Sequence, residues 1–477
     1  MIYKVVELLT PIIDKLVFAY SLALIVSYIL MGILATYALM RYINHNRSAD
    51  YNTIFHSDSL VPGISIIASC YNESAVVADC VRSLLNLHYP DYEVIVVNDG
   101  SKDNTLEILC KEFSLEKSDY YVDMKLSTQV VRGVYKSKNK AFHNLLVLDK
   151  ENGGKSDAMN AGYNVASKLY TVSIDVDSIL ASDALLKLVK PITESAAMAV
   201  VSVGGAVHVA NGCRFNRGVL TERRVPKGYN TRMQVVEYLR AFLIGRMAFG
   251  QINGLFLVSG ALGIFRKDLV LEIGGYRTDC IGEDMELTIR LRKYLYERKL
   301  PHKVVYIPEP LLWTEVPPTL KVMERQRTRW TRGLIDSLRL HKNVFFNPRY
   351  GVMGLVTYPY FVFFEWLAPF VEVSGLMFVI LLITLGMIKW KIFLFLFLFM
   401  YLFGISYSFF SIFLGEMTYH VYDKKRDLWK LFFVSLTEIM FYHPLLVYWS
   451  LKGNWMFLRG KKSWGEMTRR GFGSSNN

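Results

Sequence analysis

The stretch Tyr92-Glu93-Val94-Ile95-Val96-Val97-Asn98-Asp99-Gly100-Ser101 passes from a β-branched apolar run into a polar turn within a few residues. Val and Ile suit a pleated, buried strand better than a helix. Asn-Asp-Gly-Ser is turn chemistry. The stretch therefore reads as a strand that ends near Asp99. Upstream lies another short apolar run, Ile64-Ser65-Ile66-Ile67-Ala68-Ser69, and between the two Val76 to Leu87 carries a helical apolar stripe. Downstream, Gly100 to Asn104 reads as a turn and Thr105 to Phe113 as a helix. The alternation continues to Tyr170-Thr171-Val172-Ser173-Ile174, which runs into Asp175-Val176-Asp177. Such alternation predicts a doubly wound α/β sheet with ligands at the carboxyl ends of its strands. The loop Gly153-Gly154-Lys155-Ser156-Asp157-Ala158 is expected to precede a helix from about Met159 to Lys168. No P-loop and no strand-placed GxGxxG is present, which argues against ATP-driven and NAD chemistry.

The rest of the chain has a different character. It is 52% hydrophobic yet 20% charged over 477 residues, as expected for a soluble domain joined to membrane spans. Its net charge of +13 gathers beside apolar segments: Arg41 and Arg47, Lys321 to Lys342, Lys424-Lys425-Arg426 and Arg459 to Arg470. That placement fits a membrane surface, and no nucleic-acid motif accompanies it. Five cysteines without metal-ligand spacing fit a reduced cytosolic domain. Val17 to Met40 holds no charge and is long enough to span a bilayer, with Arg41 placing its C-terminal end on the cytoplasmic side. A cleaved signal peptide is the rival, but the run is long and lacks a small-residue cleavage site.

Past Tyr350 the expected pieces are an interfacial helix, a span at about Pro369 to Ile388 and a second at Ile392 to Leu414. Leu431 to Leu451 suits a span or a re-entrant piece, since Glu438, His443 and Pro444 interrupt it. A cytoplasmic basic tail favours an even number of crossings after the soluble domain. Before these spans, Thr319 to Phe346 mixes basic residues with Leu320, Trp330, Leu334, Ile335 and Leu338. It reads as a helix lying on the membrane, apolar side chains dipped inward.

Taken singly, the chemical motifs are weak. Asp175-Val176-Asp177 suits a hard divalent cation shared with a diphosphate, or is a polar loop. Gly282-Glu283-Asp284 is equally weak, since Asp284 is also a cap for the helix Met285 to Arg298. Trp330 is a sugar platform or a headgroup-level anchor.

Their order is specific: Cys70-Tyr71-Asn72-Glu73, Asn98 to Ser101, Gly154 to Ala158, Asp175 to Asp177, Ser259-Gly260 to Arg266, Gly282-Glu283-Asp284 and Gln326-Arg327-Thr328-Arg329-Trp330. This set resembles the inverting family 2 glycosyltransferases, and more narrowly the membrane-embedded cellulose, hyaluronan, chitin and poly-N-acetylglucosamine synthases. The likeness covers about Pro62 to Phe346. It implies an α/β GT-A-like, Rossmann-like cytosolic domain inserted between transmembrane α-helices. The domains would be 1–47 (N-terminal span), 60–318 (glycosyltransferase), 319–350 (interface helices), 351–456 (C-terminal helices) and 457–477 (basic tail).

By the same resemblance, Tyr71, Asn72, Glu73, Asp99, Lys155 and Asp157 would surround the nucleotide. Asp175 and Asp177 would hold the donor and Mg²⁺ or Mn²⁺, and Asp284 would be the general base. Gln326, Arg329 and Trp330 would lie over the diphosphate and acceptor, and Ser259, Gly260, Arg266 and Glu283 would shape the acceptor wall. The one departure is Asn98, where many members carry a first aspartate.

The implied activity is extension of a β-linked polysaccharide from a UDP-sugar, UDP-N-acetylglucosamine being favoured. Passage of the polymer through the chain's own spans would follow, with Glu365 or Glu438 lining the path. The partners would be the UDP-sugar, the growing polysaccharide, membrane lipid and an accessory export or regulatory subunit. Two alternatives stay open: transfer of one sugar to a lipid or lipid-linked acceptor, and an inactive partner that only forms the channel. Donor identity, linkage, chain length, number of spans and oligomeric state stay open too.

Overall fold

The two apolar runs beside the turn lie side by side, Ile64–Cys70 as β1 and Tyr92–Asp99 as β2. The structure is a computed structural model describing residues 2–47, 61–195, 198–216 and 218–460. Residue 60 and the expected basic tail from 461 onward fall outside the described residues. The next strands are β3 (Leu115–Ser118), β4 (Val131–Ser137), β5 (Leu145–Lys150), β6 (Tyr170–Asp175) and β7 (Ser178–Leu180). They are followed by β8 (Ala199–Val209), β9 (Arg214–Asn216), β10 (Val219–Glu222), β11 (Leu262–Arg266) and β12 (His302–Thr314). Ten of them form one sheet in the order β3-β4-β5-β2-β1-β6-β11-β8-β12-β7, and β9 with β10 makes a separate ribbon.

The central strands are parallel and in close register. Ile64 pairs with Tyr92 on one side and Tyr170 on the other, and β5 continues alongside β2. Cys70, Asp99, Lys150 and Asp175 therefore emerge along one edge. These strands are nearly continuous buried apolar runs, as helices on both faces of a parallel sheet require.

The sheet is not uniformly parallel, however. β11 runs antiparallel between β6 and β8, pairing Leu262 with Ile174 and Arg266 with Tyr170. The chain leaves β8 at the ligand edge, makes a long excursion there and returns through β11. That excursion contains the helix Tyr229–Tyr238, a wide π-type turn Leu239–Gly245 and the helix Arg246–Gln251. It packs against the N-terminal helix Ile2–Asn46 and the helix Trp390–Tyr419, joining sheet to membrane helices.

Among the described residues three helices are long and apolar enough to cross a membrane: Val6–Asn46, Trp390–Tyr419 and Lys425–Leu458. The last contains the expected ambiguous stretch and carries a π-type turn at Glu438–Tyr442, where the helix absorbs Glu438 and Pro444. Met353–Trp366 and Ala368–Thr384 meet at a bend of 41° and qualify only as a pair. After the soluble domain the described residues hold two such helices, or three where the bent pair, which contains the expected span at about Pro369, counts as one.

The basic helix Leu320–Leu340, expected at the membrane interface, is packed on two sides and leaves Leu320, Trp330 and Leu340 exposed. Ile335 and Leu338 are buried against the soluble domain, and Leu338 joins Phe256, Met285 and Ile289 in one cluster. Its other side packs along His443–Leu458. Arg327 and Arg332 are buried as well. Interleaved basic and apolar residues describe a helix clamped between domain and membrane helices as well as one lying on lipid, so composition alone does not separate the two.

Candidate active site

The polar edge of the sheet is built by hydrogen bonds that fix its loops. Asp99 is 3% exposed, and four protein donors reach its carboxylate. Lys150 Nζ at 2.7 Å and the Gly153 N–H at 3.0 Å donate to Oδ1. Asn152 Nδ2 at 3.1 Å and the Gly154 N–H at 2.8 Å donate to Oδ2. A carboxylate offers about four acceptor positions, so Asp99 is saturated. In this state it moulds the 150–154 loop rather than reaching for a base. Opposite, the Tyr71-Asn72-Glu73 turn is strapped to the 99–105 turn. The Asn72 N–H donates to Ser101 Oγ at 3.0 Å, the Glu73 N–H to Thr105 Oγ1 at 3.0 Å and the Ser74 N–H to Asp103 Oδ2 at 3.1 Å.

The helix expected from about Met159 begins earlier, at Lys155, and runs to Val165. Gly154, at φ 87°, supplies the left-handed residue that turns the chain into it. Lys155 thereby faces the site. Its Nζ lies 2.5 Å from Asp175 and 3.6 Å from Glu283, and donates to the Gly260 carbonyl at 3.4 Å. Asp157 turns the other way. Buried, it pairs with Lys150 at 2.5 Å and accepts from the Gln129 N–H at 3.0 Å. It supports Asp99 through their shared lysine and does not line the cavity.

The helix Glu283–Glu297 starts with Glu283, Asp284 and Glu286 in its first turn, where negative charge meets the positive end of the helix dipole. Gly282, not Asp284, occupies the N-cap position. The Met285 N–H donates to Asp284 Oδ1 at 2.8 Å. The other oxygen faces Gly260, where an added Cβ would stand 3.1 Å from Asp284 Oδ2 and 3.2 Å from Lys155 Nζ. The basic helix docks directly on this turn. A Cβ on Gly282 would come within 2.7 Å of the Gly333 carbonyl, so backbone meets backbone there. Asp336 accepts from the Ile281 N–H at 3.1 Å, and His341 sits 3.2 Å from Glu286. These contacts bring Gln326, Arg329 and Trp330 to the cavity that Asp284 lines.

Three carboxylates, Asp175, Glu283 and Asp284, thus surround one lysine. Burial alone would lower the Lys155 pKa; Asp175 and Glu283 outweigh it and hold the ammonium above its ordinary value. Burial pushes the Glu283 carboxyl up, with Asp284 adding to it, against the opposing pull of Lys155. Asp177 is buried and accepts from Ser178 Oγ at 3.1 Å and Thr314 Oγ1 at 3.3 Å. Gln326 Oε1 is buried without a hydrogen-bond partner among the described residues. Trp330 is 42% exposed, with the Arg327 guanidinium 4.1 Å from its ring centre.

One cavity of about 1540 Å³ joins these groups. Tyr71, Asn72, Glu73, Asp99, Lys155, Asp175, Asp177, Ser259, Gly260, Glu283, Asp284, Gln326, Arg329 and Trp330 all line it. Arg266 does not. It ends β11 at the level of Tyr170, about 16 Å of strand from Asp175, and is paired with Asp268 at 2.7 Å. The cavity also continues between the membrane helices, past Tyr28, Glu365, Glu372, Tyr407 and Glu438. Sequence reasoning missed Glu237, Arg240 and Arg246, which line its middle. Their signal was faint: three charges in the otherwise apolar Glu237-Tyr-Leu-Arg-Ala-Phe-Leu-Ile-Gly-Arg246.

Residues 62–333 match the family described as Glycosyltransferase like family 2. Among curated proteins, the chain is 30% identical over 275 residues to a poly-beta-1,6-N-acetyl-D-glucosamine synthase of Staphylococcus epidermidis, covering 57% of this chain and 55% of that one. It is 29% identical over 274 residues to the Staphylococcus aureus (strain COL) synthase of the same name, covering 57% and 54%. The chain thus matches about half the length of these relatives. Among solved structures, the mannosyltransferase PcManGT from Pyrobaculum calidifontis, in complex with GDP-Man and Mn2+, superposes with a TM-score of 0.52 at 14% identity. That match covers 94% of this chain and 100% of that one, and it shows the shared fold.

Proposed function

The chain belongs to the glycosyltransferase like family 2, and from that premise we propose that it extends a β-linked polysaccharide from UDP-N-acetylglucosamine and passes it out through its own helices. The observation that carries this reading is the continuous cavity, which runs from Asp175 and Asp284 past Trp330 into the membrane helices. Relatives named as poly-N-acetylglucosamine synthases, alike over the catalytic stretch, support the choice of donor.

The chemistry follows from the placement of the side chains. Asp284 takes the proton of an acceptor hydroxyl through Oδ2, while the Met285 N–H fixes Oδ1. The freed oxygen attacks the anomeric carbon from the face opposite the nucleotide. The bond to the diphosphate oxygen breaks with its electron pair, so an α-linked donor gives a β-linkage. Lys155 and Arg329 receive the negative charge that develops on the diphosphate. Trp330 offers its indole face to the acceptor sugar. Asp175 and Asp177 fit a hard divalent cation. Two carboxylates stand one residue apart, and three carboxylates face a single lysine. Asp175 and Asp177 by themselves would leave the remaining coordination positions to a diphosphate. When bound, Mg²⁺ or Mn²⁺ would neutralise charge on the leaving group. The basic residues Arg41, Arg47 and Lys424-Lys425-Arg426 beside the apolar helices support a catalytic domain on the cytoplasmic side of the plasma membrane.

The test is UDP release and product size with several UDP-sugars and Mg²⁺ or Mn²⁺, using the full chain in detergent. UDP-N-acetylglucosamine should give release with high-mass polymer. Asp284→Asn should slow release by roughly 10²- to 10⁴-fold while donor affinity holds. Release into a product that partitions to organic solvent would instead establish single transfer to a lipid.

A further inference from the structure

Arg246 differs from three other cations of the cavity. Lys155, Arg240 and Arg327 each face a carboxylate: Asp175, Glu438 and Glu237. Arg246 forms no ion pair among the described residues. Its guanidinium lies 3.9 Å from the centre of the Phe242 ring, and its Nη1 is buried without an acceptor. The buried Tyr306 hydroxyl stands beside the guanidinium as a neutral polar neighbour and brings no counter-charge. A desolvated cation without a counter-ion is costly, and folding gains nothing from Arg there that Leu or Met would not supply.

Position indicates what it waits for. Arg246 opens the helix Arg246–Gln251 and lines the same cavity as Asp284, whose charge acts on it. Phe249, on the same helix, packs edge-on against Tyr360 at 5.2 Å and lies 6.0 Å from Phe361, where the bent membrane segment begins. One turn upstream, Arg240 reaches Glu438 and Ser408 among the membrane helices. The diphosphate side already has Lys155, beside Asp175 at the end of β6. Arg246 is therefore on the membrane side of the base, where a chain leaving the site would run. An uncharged saccharide supplies hydroxyl and acetamide oxygens, acceptors that a forked guanidinium can hold without a full negative charge. Phe242 adds an apolar ring beside it.

We propose that Arg246, with Phe242, forms a saccharide subsite that grips the growing end of the polymer on the membrane side of Asp284. The proposal rests on the polysaccharide-synthase reading for its ligand class.

Binding separates the two ideas. The probe is a fluorescent β-1,6-linked N-acetylglucosamine pentasaccharide titrated onto the full chain in detergent, with UDP affinity measured in parallel. Arg246→Gln should weaken the pentasaccharide roughly tenfold or more, as for loss of a charged hydrogen bond. UDP affinity should stay within about twofold, which also shows that the variant folds. Arg246→Lys should recover part of the loss, and polymer made by the Gln variant should be shorter. A parallel fall in UDP affinity, in a variant that melts like the parent, would make Arg246 a diphosphate ligand and overturn the subsite. Unchanged pentasaccharide affinity, or none in the parent protein, would overturn it as well. Pentasaccharide binding that depends on Arg246, in a protein that makes no polymer, would leave the subsite standing and sink the synthase reading instead.

Discussion

The two halves of the cavity are held together in opposite ways. On the sheet side, a carboxylate is enclosed by short-range donors: Asp99 receives Lys150, Asn152, Gly153 and Gly154, all within a few residues of one another. On the membrane side, charges meet across long stretches of sequence. Arg240 binds Glu438, and Arg327 binds Glu237, which also takes the Tyr442 hydroxyl at 2.6 Å. The first half is a preformed cradle whose geometry belongs to one sheet edge. The second is a joint between elements that share no sheet, tied by a few desolvated pairs among aromatic rings. Under the proposed function, a nucleotide, the same at every cycle, would suit the rigid half, and a sliding polymer would suit a wall with few fixed partners.

The largest expected effect breaks the cradle. Asp99→Ala leaves Lys150 with Asp157 and the Glu151 carbonyl and strips two backbone N–H groups of their acceptor. Removing one member of a buried charge network costs about 3–5 kcal/mol. Unfolding in detergent should show that loss, and UDP affinity should fall with it because the 150–154 loop no longer closes. If stability falls while UDP affinity holds, the loop does not shape the nucleotide pocket, and the contrast between the halves fails on its rigid side.

This asymmetry also explains what could be read from the sequence. Asp99 and Asp175 were legible because a β-branched run followed by a polar turn marks a strand end locally. The sheet then aligns such ends without further information. Lys155 was legible as a motif, but the start of its helix was not, since Gly153-Gly154 and the polar Lys155-Ser156-Asp157 mimic a loop. Asp157 was misassigned because neighbours on a helix point to different faces. Arg266 was misassigned because nothing in Ser259 to Arg266 announces that β11 runs away from the site. Arg240 with Glu438 could not be foreseen as a pair. They are 198 residues apart, and only the packing of the excursion against the last helix joins them.

A smaller effect is expected in the joint. Arg240 donates to Glu438 Oε2 at 2.6 Å and Ser408 Oγ at 2.6 Å, and also pairs with Glu438 Oε1. Glu438→Gln keeps one acceptor oxygen but removes the charge, for a loss of about 1.5–3 kcal/mol. Its signature should differ from that of the Asp99 variant. Thermal stability in detergent should drop and polymer should shorten, while UDP affinity stays unchanged. Equal loss of UDP affinity would show that the two halves are one cooperative unit.

The smallest effect lies at the border between the halves, in Glu283. Burial raises its carboxyl pKa and Lys155 opposes the rise. A raised carboxyl takes up its proton at a higher pH than an ordinary glutamate, whose value is about 4.3. On acidification Glu283 is therefore neutralised before exposed carboxylates are. Lys155 then loses one of the two partners that hold it, and its remaining pull falls on Asp175. The acid limb of kcat/KM for UDP release should accordingly lie above the ordinary glutamate range. In Glu283→Gln that proton is absent, so the limb should move to lower pH with only a modest change in the plateau rate. A limb that stays in place in the variant would assign the titration to Asp284 or Asp175, and would make Glu283 a passive wall between the rigid and sliding halves.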